Sequence, residues 1–437
     1  MSLNGSRTFV GFGFGAIQTG LFLYEAGLSG AFGKLVVAEV VPSVVDAIRE
    51  SEGFFHVNIA RPDGVENARV GPVQIENPGD ASDRVRLIQA IAEAEEIATA
   101  VPSVDFYSSQ SPESLDKVLA EGLRNKAKNG GPRAVIYAAE NNNHAAEILQ
   151  SLVMNQVPEE ERESVRAQTC FVNTVIGKMS GVVSEAEEIR ERALVTVTPG
   201  DQRALLVEEF NRILISKVNF EEGSFERGLA VFEEKEDLLP FEEAKLFGHN
   251  ATHALGAYVG SVNGLERLDQ LRDLPGVLPF LRAAFIEESG AALVGKYAGL
   301  DPLFTHAGYQ KYSDNLLQRM TNPHLGDAIE RVGRDPKRKL GWSDRLVGTM
   351  RLARRQGVAT PRFATGAAAA LCQLDSQLID KSASDDDAVR AALQSVWNGS
   401  ERSETEECSI FEEVEAGVRC LRSWRDSGYR DLELLFL

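Results

Sequence analysis

Four polar side chains in residues 241–260 lie at spacings that suit one reaction. This stretch reads FEEAKLFGHNATHALGAYVG, and its alanine and leucine content predicts a helix. An α-helix turns about 100° per residue, so with Lys245 taken as the origin His253 falls at about 80° and Asn250 at about 140°. Glu242 falls at about 60° by the same geometry. One face of the helix therefore presents an amine, an amide, an imidazole and a carboxylate.

A helix face of this kind can take the proton from an alcohol. A lysine has an ordinary pKa of about 10.4, so burial or a cationic neighbour must lower its pKa before Lys245 can act as a base near neutral pH. Asn250 and His253 can donate hydrogen bonds to an oxygen that gains negative charge in the transition state. The alternative is a half-buried amphipathic helix, in which the lysine stem covers apolar surface and the histidine belongs to the core.

The start of the chain carries a glycine pattern that is typical of dinucleotide binding. Residues 8–11 predict a buried strand, residues 16–26 a helix and residues 34–40 a second strand. Between the strands, Gly11, Gly13 and Ala16 satisfy G-x-G-x-x-A. In this pattern the first glycine makes the tight turn, the second lets the backbone approach a pyrophosphate, and the small third residue lets helix and strand pack closely.

The acidic residue at the tip of the second predicted strand, Glu39, indicates which dinucleotide is bound. A carboxylate at this place accepts hydrogen bonds from the ribose hydroxyls and repels a 2′-phosphate. The pattern therefore favours NAD over NADP, with the pyrophosphate at the N-terminus of the first helix. The alternative is a glycine-rich turn that binds no nucleotide.

The remaining patterns predict a strand-rich first half and a helical second half. Further strands are predicted at residues 54–59, 70–75, 96–100, 133–138, 169–172, 194–198 and 213–217, the first two as a hairpin. We therefore expect an α/β protein with an N-terminal Rossmann-type dinucleotide-binding domain, residues 1–225. An all-α substrate-binding and catalytic domain, residues 226–437, would follow, with the substrate in the cleft between the two.

Composition argues against several other classes of protein. The chain has 437 residues, of which 43% are hydrophobic and 25% charged, and its net charge of −19 argues against partners such as nucleic acid or an anionic membrane. The four cysteines form no C-x-x-C pair, and no metal site is predicted. With no signal peptide or membrane span in view, we expect a cytoplasmic protein that is a monomer or a small homo-oligomer.

Several separate motifs resemble one known family. They are K-x4-N-x2-H with A-Y-x-G after it, and the segments VGFGFGAIQTG, VAEVVPSVVDAI, TAVPS, AEN, FVNT, EESGAALVGKYAG and ERVGRDPKRKL. In this order they are similar to the polyol-specific long-chain dehydrogenases, the mannitol dehydrogenase family, over most of the chain. The resemblance implies NAD-dependent, metal-independent hydride transfer that interconverts mannitol 1-phosphate and fructose 6-phosphate.

The resemblance also implies a role for each residue of the motifs. Lys245 would be the general base and His253 would orient the substrate. Asn173 and Asn250 would stabilise the reacting oxygen, and Glu242 would carry the proton to water. Residues implied to lie at the cofactor or the polyol are Ala100, Val101, Asn141, Arg331 and Lys339. The chain departs from the family at Gly177 and Lys178, where the relatives have an acid and an arginine.

Residues 331–355 form a basic stretch in an acidic chain. They hold nine basic and two acidic residues, a local charge of +7. Arg334, Arg338 and Arg345 could bind a substrate phosphate; the alternatives are a solvated surface or salt bridges to the acidic remainder. Residues 376–407 are acidic and polar and predict a solvated helical appendage.

Two other functions stay open from the sequence alone. One is a dehydrogenase of unphosphorylated polyols or sugar acids such as mannitol, altronate or mannonate. The other is a dinucleotide-binding sensor without turnover, although the complete set of Lys245, Asn250 and His253 argues against it.

Overall fold

A computed structural model describes residues 5–209, 212–221, 223–379, 386–397 and 402–437 of the chain. The chain divides into two compact units, Met1–Leu239 and Pro240–Leu437. The first unit is a Rossmann domain with mixed sheets and the second is largely helical, which confirms the predicted fold class.

The first unit is built on an eight-stranded sheet. Its strands are β1 (Arg7–Phe12), β2 (Phe32–Ala38), β5 (Gln74–Glu76), β6 (Glu96–Thr99), β7 (Ala134–Ala138), β8 (Thr169–Ile176), β11 (Ile213–Ser216) and β12 (Phe232–Lys235). The spatial order is β12-β11-β8-β7-β6-β1-β2-β5, and every pair is parallel except β11 with β8. The chain continues to opposite sides of β1, with β2 on one and β6 on the other. The carboxyl end of β1 is therefore the switch point where doubly wound folds bind ligands.

A second, four-stranded sheet belongs to the same unit. It contains β3 (Phe55–Arg61), β4 (Gly64–Val70), β9 (Ser180–Val183) and β10 (Ala204–Glu208), in the order β4-β3-β10-β9. The predicted hairpin was wrong in its second strand, because β4 pairs with β3 and β5 joins the large sheet. The predicted strand at residues 194–198 was also wrong. There the Asn58 side chain forms hydrogen bonds with both the N–H and the C=O of Val195. The backbone of Val195 therefore pairs with a side chain and not with a neighbouring strand.

Helices of the first unit cover the large sheet on both faces. They are α1 (Tyr24–Ser29), α2 (Pro42–Glu50), α3 (Ala81–Glu93), α4 (Leu115–Asn129), α5 (Ala145–Gln156), α6 (Arg162–Gln168) and α7 (Ala186–Glu191), with 3-10 turns at Val104–Tyr107 and Glu159–Glu161. Neighbouring strand residues enter opposite cores: Phe9 and Val135 pack in one, Val10 and Ile136 in the other. Burial on both faces explains why these strands are continuous apolar runs.

The second unit consists of short helical pieces. They are α8 (Leu239–Glu243), α9 (Ala251–Val262), α10 (Val277–Ala283), α11 (Ala291–Lys296), α12 (His306–Met320), α13 (Ile329–Gly333), α14 (Pro336–Lys339), α15 (Val347–Arg355), α16 (Pro361–Leu374), α17 (Asp386–Val396) and α18 (Glu404–Asp426). Four 3-10 turns lie at Leu268–Asp273, Pro302–Phe304, Ser376–Ile379 and Glu433–Leu435. The predicted continuous helix at residues 241–260 is interrupted by a π-helical turn, Ala244–Asn250, and a second π-helical turn lies at Ala284–Gly290. A π-turn has hydrogen bonds between residues five apart, which changes the residues that share a face.

Close packing around α16 forms the centre of this unit. A Cβ at Gly366 would lie 2.2 Å from Leu255 on α9, and one at Gly417 on α18 would lie 2.4 Å from the carbonyl oxygen of Ala364. Glycine at these two places lets α9 and α18 approach α16 closely. Alanines in α16 are fully buried between its neighbours.

The acidic segment at residues 376–407 is not the solvated appendage that its charge predicts. Asp385, in its acidic run, lies outside the described residues. Val389, Leu393 and Trp397 recur every four residues and are buried, so α17 packs by an apolar stripe. Glu406, in the first turn of α18, bonds the guanidinium of Arg351. The described residues of this segment therefore include a buried apolar stripe that its charge did not indicate.

Candidate active site

The glycine turn of the first unit follows β1 directly. Gly13 has a left-handed backbone with φ 88°, and a Cβ there would lie 3.0 Å from the carbonyl oxygen of Ala100. The tight turn is therefore at Gly13, and its predicted place at Gly11 was wrong. Gly11 lies within β1, and a Cβ on Gly11 would lie 2.2 Å from the side-chain amide nitrogen of Gln18. Among the described residues, nothing lies within 4 Å of a Cβ placed on Gly15, so this backbone is open to a ligand.

Glu39 lies directly after β2, as the pattern predicted. Its carboxylate accepts a hydrogen bond of 2.9 Å from the backbone N–H of Val41, and its own N–H donates to the carbonyl of Glu76. These bonds fix the carboxylate at the start of α2. Together with the Gly13 turn and the half-buried Ala16, Glu39 fits the phosphate and ribose ends of a dinucleotide.

The turn after β6 is held by a buried carboxylate that sequence reasoning did not single out. Glu140 accepts hydrogen bonds from the N–H of Val101, 2.9 Å, the hydroxyl of Thr99, 2.9 Å, and the hydroxyl of Tyr107. Burial raises the pKa of Glu140, and these three donors act against burial. Glu140 is the acid of the AEN motif, and the motif was the signal that could have found it. Asn141, the next residue, is exposed.

Asn173 lies within β8, where the sequence had predicted the end of a strand. Its side-chain oxygen accepts from the N–H of Ala146, and its amide nitrogen donates to Glu147, both at 2.8 Å. The amide is therefore oriented by α5. Lys178, at the departure from the family pattern, is buried, and Gly177 precedes it.

The π-turn Ala244–Asn250 changes the geometry predicted for the second unit. The calculation of about 140° between Lys245 and Asn250 assumed an α-helix and was wrong. These residues are five apart, and five-residue hydrogen bonding brings such residues one above the other. Asn250 ends the π-turn and is half-buried, as are Lys245 and Glu242.

Lys245 has the chemistry of a base. Burial and the positive charge of Arg345 lower the pKa of Lys245 to about 8, although the carboxylate of Glu242 acts in the opposite direction. A substantial fraction of the amine is therefore neutral near pH 8. This is the condition that a lysine must meet to accept a proton from an alcohol.

His249 is a second buried group of the π-turn that sequence reasoning missed. Four residues after Lys245, it falls at about 40° on the same helical wheel, so the signal was present. Burial and the charges of Arg319, His253 and Lys245 lower the pKa of His249 well below its ordinary value. Its ring lies 6.1 Å from that of His253, centroid to centroid. His249 is therefore a neutral imidazole beside the predicted catalytic residues.

The structure brings His253 and Arg331 together through a residue that no spacing indicated. Nε2 of His253 lies 3.0 Å from Oδ2 of the buried Asp327, and Nε of Arg331 donates to Oδ1 of Asp327 at 3.0 Å. Burial raises the pKa of Asp327, whereas His253 and Arg331 lower it. These two partners together outweigh burial, so the pKa of Asp327 lies below its ordinary value. Asp327 thus lies in contact with both the imidazole and the guanidinium.

Most of the basic stretch is paired with acids. Six of its nine bases form ion pairs: Arg331 with Asp327, Arg338 and Arg345 with Asp344, Arg351 and Arg355 with Glu406, and Arg354 with Glu413. Arg338 also binds Asp335, 3.0 Å apart. Arg334 and Lys337 are exposed and form no ion pair with the described residues. The alternative of salt bridges therefore accounts for most of the +7 charge.

Lys339, in contrast, is buried. Its ammonium donates to the carbonyl oxygen of Arg334. Burial and the charges of Arg345 and Arg338 lower the pKa of Lys339 to about 8, against Asp335 and Asp344. The guanidinium of Arg345 therefore contributes to lowering the pKa of both Lys245 and Lys339.

The described part of the chain contains no group of three or more histidine, cysteine, aspartate or glutamate side chains arranged to hold a metal ion. It also contains no helix long and apolar enough to cross a membrane.

Comparison with known families covers both units. Residues 7–227 match the mannitol dehydrogenase Rossmann domain, and residues 237–406 match the mannitol dehydrogenase C-terminal domain. The chain belongs to the mannitol dehydrogenase family. It is therefore an oxidoreductase of the polyol dehydrogenase type, which acts on CH–OH groups, and the predicted family and enzyme class are confirmed.

Named relatives of this family member are similar over most of their length. A mannitol-1-phosphate 5-dehydrogenase of Bacillus licheniformis is 30% identical over 358 residues, which cover 82% of this chain and 86% of the relative. A protein of the same name from Shouchella clausii is 29% identical over 346 residues, which cover 79% and 83%.

Solved structures share the fold at low sequence identity. A D-sorbitol dehydrogenase in substrate-free form has a TM-score of 0.75 at 15% identity, covering 98% of this chain and 95% of that one. A Pseudomonas fluorescens mannitol 2-dehydrogenase, in a ternary complex with NAD and D-mannitol, has a TM-score of 0.68 at 17% identity, covering 99% and 95%.

Proposed function

We propose that this family member is an NAD-dependent dehydrogenase that interconverts mannitol 1-phosphate and fructose 6-phosphate with Lys245 as general base. The observation that supports the proposal most is Lys245, whose pKa is lowered to about 8 and which lies with Asn250 in one π-turn. The name of the two relatives at about 30% identity supports the choice of a phosphorylated polyol.

The proton and the oxygen are handled by residues of the second unit. In polyol oxidation, neutral Lys245 takes the hydroxyl proton while the C–H bond of the same carbon loses its hydride. Asn250 donates a hydrogen bond to the oxygen as negative charge develops on it. Glu242, whose carboxylate acts on the pKa of Lys245, then passes the proton to water. In sugar reduction the same groups work in reverse, with Lys245 as the acid.

His253 and Asn173 have supporting roles in this mechanism. Nε2 of the His253 imidazole faces Asp327, and we propose that the other ring nitrogen contacts a substrate hydroxyl. Glu147 and the N–H of Ala146 orient the Asn173 amide, which has a second N–H for the reacting oxygen. We propose that Arg331 and Lys339 contact polyol hydroxyls.

The nucleotide would lie on the first unit. Gly13 and Ala16 would form the backbone for the pyrophosphate, and Glu39 would select the ribose of NAD. The turn at Ala100 and Val101, with Asn141, would hold the nicotinamide ring, and Glu140 fixes that turn. Bound NAD supplies the hydride acceptor. The NAD and D-mannitol in the Pseudomonas fluorescens relative agree with this assignment.

We assign the phosphate of the substrate to the exposed cations next to Lys339. Arg334 forms no ion pair with the described residues, and Arg338 shares its guanidinium between Asp335 and Asp344. An arginine with free N–H groups binds a phosphate by charge-assisted hydrogen bonds, each worth roughly 1.5–3 kcal/mol. Two such bonds would favour the phosphorylated sugar by a factor on the order of 10²–10⁴.

A comparison of substrates tests the proposal. With NADH, kcat/KM for fructose 6-phosphate should exceed that for fructose by this factor. Equal values would contradict a phosphate site and leave a dehydrogenase of plain polyols or sugar acids, which altronate, mannonate and mannitol would then distinguish. Binding of NADH without turnover of any of these compounds would instead indicate a sensor.

Arg334→Gln shows whether the phosphate is bound where we propose. It should raise the KM for fructose 6-phosphate about 10- to 100-fold, the loss expected for one charge-assisted bond, and leave the KM for fructose unchanged. Arg355→Gln is the matched control, because Arg355 is equally exposed and pairs with Glu406. An equal effect of both variants would indicate that the overall positive potential attracts the substrate, without a specific contact between Arg334 and the phosphate.

A further inference from the structure

The π-turn at Ala244–Asn250 needs an explanation, because π-helices are rare. They occur mostly as single turns within α-helices and often at functional sites. In an α-helix, residues five apart point about 140° away from each other, so Lys245 and Asn250 could not act on one oxygen. The π-turn aligns them. Whatever keeps this turn from relaxing to an α-helix therefore also positions the proposed base.

The first turn of α15 is packed directly against the π-turn. The hydroxyl of Thr349, which is fully buried, donates to the carbonyl oxygen of Phe247 in the middle of the π-turn at 3.1 Å. The same hydroxyl also bonds the carbonyl oxygen of Arg345. A threonine hydroxyl has one hydrogen, so the two carbonyls share it in a three-centre bond.

Glycine at the neighbouring position makes this contact possible. A Cβ at Gly348 would lie 2.8 Å from the ring of Phe247 and 3.0 Å from the carbonyl oxygen of Ser343. Any side chain there would move α15 away from the π-turn. The segment before α15 is itself fixed, because the N–H of Leu346 donates to the carbonyl of Lys339, 3.2 Å, and Arg345 binds Asp344, 2.8 Å.

We propose that Thr349 is a positioning residue for the reaction: its hydroxyl joins the Phe247 carbonyl in the π-turn to the Arg345 carbonyl, and so keeps Lys245 aligned with Asn250. The inference rests on the proposed role of Lys245. Thr349 touches neither the substrate nor the amine. It acts on the backbone between Lys245 and Asn250, and it also fixes the segment that carries the Arg345 guanidinium near the amine.

A threonine in a helix often bonds the carbonyl four residues before it, and Thr349 makes such a bond to Arg345. Thr365 in α16 makes the same local bond, to Pro361 at 2.9 Å, and lies in a different part of the second unit. Thr365 is also fully buried. The two threonines therefore differ in the contact with the π-turn, and Thr365 provides the matched control.

The test compares Thr349→Val, Thr349→Ser and Thr365→Val in steady-state kinetics of fructose 6-phosphate reduction by NADH. Valine keeps the shape of threonine and removes the hydroxyl. A displaced catalytic group costs up to about 10²-fold in rate, so Thr349→Val should lower kcat by roughly 10- to 100-fold. The KM values for both substrates should change less than threefold, about the precision of the comparison. Thr349→Ser should restore kcat, and Thr365→Val should leave it unchanged.

Three outcomes would overturn the inference. They are a kcat of Thr349→Val close to that of the wild type, a Thr349→Ser variant as slow as Thr349→Val, and an equal loss in Thr365→Val. If Thr349→Val does not fold by circular dichroism, Thr349→Ala replaces it, because the smaller side chain cannot overpack the contact. Lys245→Ala, measured in parallel, distinguishes failure of the Thr349 inference from failure of the proposed function. An active Lys245→Ala would contradict the proposed function itself.

Discussion

Lys126 in the first unit and Lys245 in the second both have a pKa lowered to about 8 by burial, yet their surroundings differ. Lys126 is fully buried in the Rossmann unit, and its ammonium donates to the carbonyl oxygens of Ala92, Ala94 and Pro132 at 2.5–3.0 Å. All three of its N–H donors are used. Lys245 instead lies beside a guanidinium and a carboxylate on a π-turn. A perturbed pKa alone therefore does not identify a base; the surrounding groups do.

Three polar groups at or beside the proposed site differ in a similar way. In the Rossmann unit, Glu140 and Asn173 are held by backbone N–H groups and hydroxyls, and they position turns and strands. In the helical unit, His249 is buried with no partner for its Nδ1 among the described residues. We infer that the first unit binds and orients, whereas the second carries the groups that change protonation.

Lys245→Ala should produce the largest effect. Loss of a general base costs about 10²–10⁴ in rate, and the loss of a positive charge beside the oxygen places the expected fall in kcat in the upper part of this range. The affinity for NADH, measured by fluorescence titration, should stay within a factor of about two, because the nucleotide is assigned to the other unit. A kcat within about tenfold of the wild type would remove Lys245 from the mechanism.

The cofactor preference should show the next largest effect. Like charges brought together cost several kcal/mol, so kcat/KM for NADPH should be lower than for NADH by a factor on the order of 10² or more. Glu39→Gln removes the charge and keeps an oxygen for the N–H of Val41, so it should narrow this ratio. Glu50→Gln, an exposed acid on α2, serves as the control. A wild-type preference for NADPH would show that Glu39 does not face the ribose.

Lys126→Met should have the smallest effect on catalysis and a clear effect on stability. Three carbonyls lose their donor, those of Ala92 and Ala94 in buried positions, and each unpaired buried group costs roughly 1–3 kcal/mol. Urea unfolding should therefore show a lower free energy of unfolding, while kcat of the folded fraction stays within about twofold of the wild type. A stable Lys126→Met protein with a hundredfold lower kcat would break the contrast between the two lysines.

Local patterns predicted the parts of the molecule that depend on neighbours in sequence. The strand, glycine turn and acid at Gly13 and Glu39 follow one another within a single supersecondary unit. The helical wheel found Lys245 and His253 but misplaced Asn250, because no residue pattern used here distinguishes a π-turn from an α-helix. Asp327 lies 74 residues after His253, and their contact depends on tertiary packing that periodicity does not contain. The stripe of Val389, Leu393 and Trp397 is visible in the sequence, but the net charge of the segment predicts a solvated helix and hides this stripe.

The pH dependence of polyol oxidation tests the role of Lys245 most directly. Because the folded enzyme lowers the pKa of Lys245 to about 8, the neutral base is scarce below that pH and dominant above it. For mannitol 1-phosphate and NAD, kcat/KM should rise about tenfold per pH unit up to pH 8 and then level off, and fructose 6-phosphate reduction should fall above that pH. This inflection should be absent from the residual activity of Lys245→Ala. A flat wild-type profile between about pH 6.5 and 9.5, or an inflection that survives in Lys245→Ala, would contradict the assignment of Lys245 as the base.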